Sequence, residues 1–407
     1  MNRLPLTFIL LTIMLDSIGI GLIFPVMPDL LREITGQTLA DSAIWGGVLA
    51  TSFAAMQFLF GPVVGNLSDA YGRRPTLLIA LAIMAVDYLV MARADTIWLL
   101  LLTRLIAGLT AATHSTATAY MADISAPADR ARNFGYIGAA FGVGFVIGPL
   151  IGGLLAGIDL RAPFYCAALM AGANLLFGLL VMPETVTEKN RRPFSLARAN
   201  PLASFRAMGR LPGVGRLLIV LGLYQTALFS YPAIWPFYGQ AAFGWDTWMV
   251  GVSLAIFGLA MALTQALLVG PTVQRFGARG AVLIGMGVDL VAFAAYGVMT
   301  SGTLALIFTP VAAVGGLVMP ALQGIMSTEA ADDQQGELQG VIASVMAVST
   351  ILAPLMMTYT FARFTQEGAA LYLPGAPFLL GGLLLLGAIA LFAATPSANP
   401  TRPDSLT

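Results

Sequence analysis

Four ionisable side chains stand inside otherwise apolar stretches of this sequence: Asp16, Asp87, Arg104 and Asp289. A charge near the centre of a membrane-spanning helix costs about 2.5–3.5 kcal/mol on an insertion scale, so such residues face a cavity or a partner. At about 1.5 Å of rise per residue, Asp16 and Asp87 lie at similar depth in their segments. Arg104 lies nearer the outer side, but its long side chain lets either carboxylate reach it. A carboxylate that alternates between a proton and Arg104 would make a coupling switch. The rival reading, a pair that only holds helices together, weighs more for Asp87 than for Asp16 or Asp289. Shifted back by 205 residues, Asp289 falls at position 84, one turn from Asp87 on the equivalent helix.

A second polar feature is "GNLSDAYGRRP" at 65–75, which sets Asp69, Arg73 and Arg74 between two apolar runs. Gly65 and Gly72 allow a tight turn there. The Asp69 carboxylate can bond Arg73 and the positive end of a neighbouring helix, with Asp123 as a further partner. A worn copy, "GPTVQRFGARG", returns at 270–280 with Gln274 in place of the aspartate. Gly65, Gly72 and Arg74 recur as Gly270, Gly277 and Arg279, each displaced by 205 residues. The same displacement carries Gly135 to Gly340 and Pro149-Leu150 to Pro354-Leu355. One register through three landmarks indicates a duplicated half, as in transporters with a site between two repeats.

The elements that must position these groups are long and apolar. Hydrophobic residues form 58% of the 407-residue chain and charged residues 10%, against about 25% charged in a soluble domain. Twelve apolar segments fall near 5–27, 42–64, 75–93, 97–120, 133–156, 162–182, 214–238, 248–270, 280–299, 302–323, 337–362 and 374–394. The expected fold is therefore an all-α membrane protein of twelve transmembrane helices in two six-helix bundles with pseudo-two-fold symmetry. Residues 1–182 form the first bundle, 183–213 a polar linker and 214–407 the second bundle. The first segment is too long for a signal peptide, carries Asp16 at its centre and lacks a small-residue cleavage site. Fifteen of the twenty Lys and Arg residues fall on one side of this topology, which predicts that both termini and the linker are cytoplasmic.

Composition also excludes functions. A formal net charge of zero offers no basic face for nucleic acid. One cysteine, Cys166, forbids an internal disulfide, and one histidine, His114, leaves almost no room for a zinc site or a His-based triad. No "GxxxxGK[ST]" phosphate loop occurs, so ATP hydrolysis is not the drive.

Polar groups suited to a binding cavity are Gln57, Tyr224, Gln225, Gln265 and Gln323, with Trp235 in an aromatic wall on the seventh segment. On the fourth segment Arg104, Gly108, Ala111, Ser115 and Thr118 share a face, and His114 lies about a quarter turn away. The fifth segment carries glycines around Pro149. Gly148 and Pro149 there suit a hinge between bundles as well as close packing.

These residues resemble the major facilitator superfamily and, within it, the tetracycline-type drug:proton antiporters. Gly65, Leu67, Asp69, Gly72, Arg73 and Arg74 follow the superfamily's loop motif, with Ala70 where the pattern has a basic residue. Arg104 and Gly108 in "TRLIAGLTAAT" are similar to its helix-4 motif, and "GVGFVIGPLIGG" (142–153) to its antiporter motif. "LDSIGIGLIFPVMPDLLRE", "MQFLFGP" and "MPALQGIMS" are similar to the tetracycline exporters in particular. The resemblance implies that Asp69, Arg73, Arg74 and Asp123 latch the two bundles together against helix 11. It also implies that Asp289 is substrate- or proton-linked, and that no cofactor is needed beyond a proton gradient, with Mg2+ able to accompany the cargo. Met261 stands where those exporters carry a histidine tied to proton coupling.

The expected activity is proton-coupled export of an amphipathic drug-like compound, with tetracycline a candidate, by a monomer in the bacterial inner membrane. A symporter or uniporter of a small metabolite keeps the same fold. A membrane enzyme would need a His/Asp or metal constellation that one histidine does not supply.

Overall fold

The computed structural model describes residues 4–111, 113–188, 191–195, 200–201, 211 and 213–395. The described residues are helical throughout their long elements, with no strand among them. Eleven helical stretches are long and apolar enough to cross a membrane. One of them, Thr247–Val298, has 52 residues. At about 1.5 Å per residue it would be more than twice the thickness of a bilayer core. It breaks at Gly277, whose φ of 73° is left-handed. The described residues therefore form twelve spans: α1 Leu4–Ile23, α2 Leu39–Tyr71, α3 Arg73–Ala92, α4 Ile97–Ile124, α5 Arg130–Ala156, α6 Ala162–Val181, α7 Gly215–Phe243, α8 247–276, α9 278–298, α10 Gly302–Glu329, α11 Gln335–Thr365 and α12 Ala376–Ala393. It is a multi-pass membrane protein.

The turn expected across 65–75 contracts to one residue. Helix α2 runs to Tyr71, Gly72 takes φ 120°, and α3 begins at Arg73. Gly65 lies inside α2, so only Gly72 needs the freedom of glycine. Its duplicate Gly277 does the same work between α8 and α9.

Local signals mark the helix starts. The Thr96 side chain accepts from the Leu99 amide at the head of α4, and Ser301, 205 residues on, accepts from Leu304 at the head of α10. These caps satisfy donors that a helix N-terminus leaves unpaired. Pro28 opens a short helix, Met27–Thr35, between α1 and α2, and Gly36 ends it in the left-handed region at φ 65°.

The two bundles meet along two seams, α5 against α8 and α2 against α11. The seams share one device. The Pro149 carbonyl of α5 lies against Gly251 of α8, and the Pro354 carbonyl of α11 lies against Gly47 of α2. A glycine at each contact lets two helix backbones approach closely. Side-chain hydrogen bonds cross between bundles from Thr51 to the Ile351 carbonyl (2.8 Å), and from Gln240 (3.1 Å) and Thr247 (3.0 Å) to Asp29. All three lie in the half of the molecule remote from the linker. On the linker side, the Cβ directions of Gly61, Gly65, Gly135, Gly138 and Gly142 meet no atom of the described residues within 4 Å. Among the described residues, the two bundles are sealed together at one end and stand apart toward the linker.

Candidate transport site

Between the bundles lies a cavity of about 890 Å³. Its charged wall belongs to the first bundle. Asp16 on α1, Asp87 on α3 and Arg104 on α4 all line it, with Gln57 on α2 and His114 on α4. The second bundle contributes chiefly apolar surface: Phe229, Pro232, Pro236 and Phe237 of α7, and Thr350 and Pro354 of α11.

The structure decides which carboxylate holds the arginine. Arg104 Nη2 lies 3.0 Å from Asp87 Oδ2, and Asp87 is 5% exposed. The Phe53 ring sits 5.9 Å from the guanidinium carbon, where its face attracts the cation. Arg104 Nε has no hydrogen-bond partner among the described residues. Asp16, half-buried in the same cavity, makes no ion pair among the described residues. Tyr88 lines the same cavity, and its hydroxyl abuts Gly19 of α1, so a side chain at Gly19 would collide with it. Tyr88 was not singled out from sequence, although its place beside Asp87 was the available signal. His114 packs edge-on against Phe141 at 5.9 Å.

Asp289 is placed elsewhere. It is 1% exposed, inside the second bundle and outside the cavity lining. The Tyr224 hydroxyl lies 2.9 Å from Asp289 Oδ2 and 3.1 Å from the Gly315 carbonyl. Gly315 belongs to a 3-10 stretch, Ala313–Leu317, that interrupts α10. A side chain there would overlap the Asp289 carboxylate. Facing this break, α8 has a π-helical stretch, Thr264–Leu268. Such irregular turns mark places where helix geometry bends to a side-chain demand.

The expected binding set divides accordingly. Gln57 reaches the cavity and donates to the Ala111 carbonyl at 3.4 Å. Tyr224 and Gln225 are buried within the second bundle, and Trp235 donates to Ser253 at 2.8 Å, all three off the cavity lining. Gln265 is exposed on the π-helical stretch, and Gln323 is half-buried on α10, also off the lining. Side-chain polarity on a span does not reveal which way the span faces, and here Tyr224 and Trp235 of α7 turn into the second bundle to bond Asp289 of α9, the Gly315 carbonyl of α10 and Ser253 of α8. Met261, in the place of the exporters' histidine, packs its sulfur against Gly316 of α10.

Gly148 and Pro149 lie on the α5 seam. Gly148 faces Ile18 and Gly21 of α1, while Pro149 presents its carbonyl to α8. One short stretch thus touches both bundles.

The loop cluster is assembled within the first bundle and the linker. Arg73 pairs with Asp69 at 2.5 Å and with Asp123 at 3.4 Å. Arg74 donates to the Leu179 carbonyl at the end of α6. The bridge to α11 that the resemblance implies is not made among the described residues, because the bundles stand apart on this side. The linker takes its place. Glu184 accepts from the Arg73 and Arg74 amides at 2.9 and 3.2 Å, capping the α3 N-terminus from a distance. Thr185 donates to Asp123, the Arg192 amide to the Asp69 carbonyl, and Asn66 to the Ser195 carbonyl. Glu184 was not anticipated, since a carboxylate in a polar linker carries no periodic signal.

With this geometry in view, similarity to known proteins can be read. Residues 9–354 match the model of the Major Facilitator Superfamily. The chain belongs to that superfamily. It is 42% identical to the tetracycline resistance protein, class C, of Escherichia coli, over 93% of this chain and 96% of the relative. The crystal structure of the human organic anion transporter MFSD10 is 25% identical and superposes with a TM-score of 0.68, covering 96% of this chain and 99% of that one. A bacterial homolog to the human lysosomal transporter Spinster, in an inward-facing and occupied conformation, shares the fold at a TM-score of 0.79 and 16% identity, over 97% and 98% of the two chains. These relatives are transport and resistance proteins by name, not enzymes.

Proposed function

We propose that this chain is a proton-coupled antiporter that exports an amphipathic drug-like compound, tetracycline among the candidates, by alternating access. The carrying observation is the cavity itself. It is largely apolar, large enough for a drug-sized molecule, and holds one paired and one unpaired carboxylate on the first bundle. Asp87 already neutralises Arg104. Asp16 is the group left to gain or lose a proton as cargo leaves or enters.

The cycle follows from differential contacts. Both termini and the linker are assigned to the cytoplasm on the Lys and Arg bias, in a bacterial inner membrane. The structure is then the state open to the cytoplasm, with the α5–α8 and α2–α11 seams closed outside. Cargo enters from the cytoplasm and displaces the proton on Asp16, and the bundles rock about the Gly148–Pro149 and Pro354 contacts. In the opposite state Asp69, Arg73 and Arg74 exchange their linker partners for α11 and latch the inner side. A single chain encloses the whole cavity, so a monomer suffices, and no cofactor enters this cycle. Mg2+ can arrive on the cargo without a protein ligand set.

The test is proton release from inverted membrane vesicles under an imposed pH gradient. Adding tetracycline releases protons with the wild-type protein and not with Asp16→Asn. Equal release from both proteins rejects Asp16 as the coupling group.

A further inference from the structure

Beside the main cavity lies a second one of about 130 Å³. Phe24, Pro232 and Pro236 line both, and so form the partition between them. The smaller cavity is walled by rings: Phe24 and Phe145 from the first bundle, and Tyr231, Trp235, Phe257 and Tyr296 from the second. The Trp235 ring nitrogen is engaged outside it, donating to Ser253 at 2.8 Å, and the Tyr296 hydroxyl is engaged at its wall, 3.3 Å from the hydroxyl of Thr309, which also lines the chamber. Tyr231 packs against five rings, with centroids 5.3–6.1 Å away. Its hydroxyl is buried with no hydrogen-bond partner among the described residues. An unmade bond of that kind costs about 1–3 kcal/mol and is relieved when a partner arrives.

We infer that this aromatic chamber is a subsite for one planar apolar ring of the transported compound, a ring edged by a polar atom that bonds the Tyr231 hydroxyl. Its size suits one ring, since an engineered apolar cavity of about 150 Å³ takes up benzene. Ring-on-ring packing adds about 0.5–1.5 kcal/mol per pair beyond burial of area. The partition is built to yield. Pro232 and Pro236 stand one turn apart on α7, and each removes a backbone amide from the helix ladder. Helix α7 is correspondingly broken beside them, between Leu228 and Ser230.

The chamber also depends on conformation. Phe24 and Phe145 come from one bundle and the other rings from its partner, so the chamber is whole only while the remote side is sealed. A ring seated there stabilises the state open to the linker, and releasing the seal dismantles its pocket. The subsite therefore gives both selectivity and an ordered handover of cargo. This transport role rests on the export reading above, but the existence of the chamber does not.

Two measurements on the full-length protein in lipid nanodiscs or vesicles separate those claims. In the first, the photoreactive ring 3-trifluoromethyl-3-phenyldiazirine is activated and labelled peptides are mapped. Label is expected on residues 231–238 and 254–257, reduced about tenfold in Leu254→Trp, which fills the chamber, and raised in Phe257→Ala, which enlarges it. Label on lipid-facing Leu263 should stay constant in all three. An unlabelled 231–238 segment in wild type, or labelling that Leu254→Trp leaves unchanged, overturns the subsite. In the second, Leu254→Trp should raise the KM for tetracycline about tenfold with kcat near wild type, as for loss of one well-packed ring. An unchanged KM overturns its part in transport. A wild type that moves no tetracycline refutes the proposed cargo, and the labelling result still decides the chamber.

Discussion

The two bundles share a pattern displaced by 205 residues but use their buried carboxylates differently. In the first, Asp87 meets Arg104 at 3.0 Å on the wall of an open cavity. In the second, Asp289 meets the Tyr224 hydroxyl at 2.9 Å with 1% of its surface exposed. The loop clusters diverge in the same sense. Arg74 ties to the end of α6 and Arg279 to the end of α12, at 2.9 and 3.0 Å from the Phe392 and Ala393 carbonyls. Yet Asp69, Arg73 and Asp123 correspond to Gln274, Ala278 and Thr328, so the second copy keeps the anchor without the ion-pair network. The two halves match at the turns and seams, where backbone geometry is decisive, and differ in their charges, where function is local. The first bundle became the charged half and the second the aromatic half.

That contrast can be broken most sharply at Asp87. Asp87→Asn leaves Arg104 without its counter-charge in a membrane cavity. Transport by proteoliposomes should fall about 100-fold or more, while Asp87→Glu retains a measurable fraction. Wild-type rates from Asp87→Asn would show that the pair is mere packing. A second effect, about tenfold on transport with normal membrane insertion, is expected for Asp69→Asn, against no change for its duplicate Gln274→Ala. Equal effects at both positions would erase the distinction between the two loops. A third prediction concerns stability rather than activity. Tyr224→Phe strands the Asp289 carboxylate and should destabilise the protein by about 1–3 kcal/mol, read as a lowered unfolding temperature in detergent. The smallest effect tests the shared feature. Arg74→Ala and Arg279→Ala should each lose about 1 kcal/mol and by similar amounts, since both replace carbonyl anchors at partly exposed helix ends.

Much of this organisation was legible in the sequence. Twelve apolar segments gave twelve spans, because in hydrocarbon every backbone group must be satisfied within its own helix. The displacement of 205 residues located Gly277 as a chain break and Pro354 as the counterpart of Pro149, and both stand where the structure uses them. The charged triad was legible too, since an ionisable group in a span must face something. Its internal pairing was not. Depth along a helix left Arg104 free to reach either aspartate, and the choice turned on the rotation of α3 against α4. Rotation also explains Tyr224, Gln225 and Trp235, which share a helix with cavity residues Phe229 and Phe237 but turn into the second bundle. Glu184 and the linker's hold on the loop were invisible, because they depend on a non-periodic segment folding back over 110 residues to meet two amides. Asp29, which joins the bundles at the sealed end, stands inside the stretch 15–33 that resembles the tetracycline exporters, but nothing in that likeness assigned it a partner across the bundles.

In the proposed cycle, cargo and protons cross in opposite directions through the cavity bearing Asp16, Asp87 and Arg104. Purified protein in liposomes, with tetracycline on one side and an imposed pH difference, tests it directly. The protein should accumulate the drug against its gradient, stop when an ionophore collapses the pH difference, and lose this ability in Asp16→Asn. Undiminished accumulation after the collapse would contradict it.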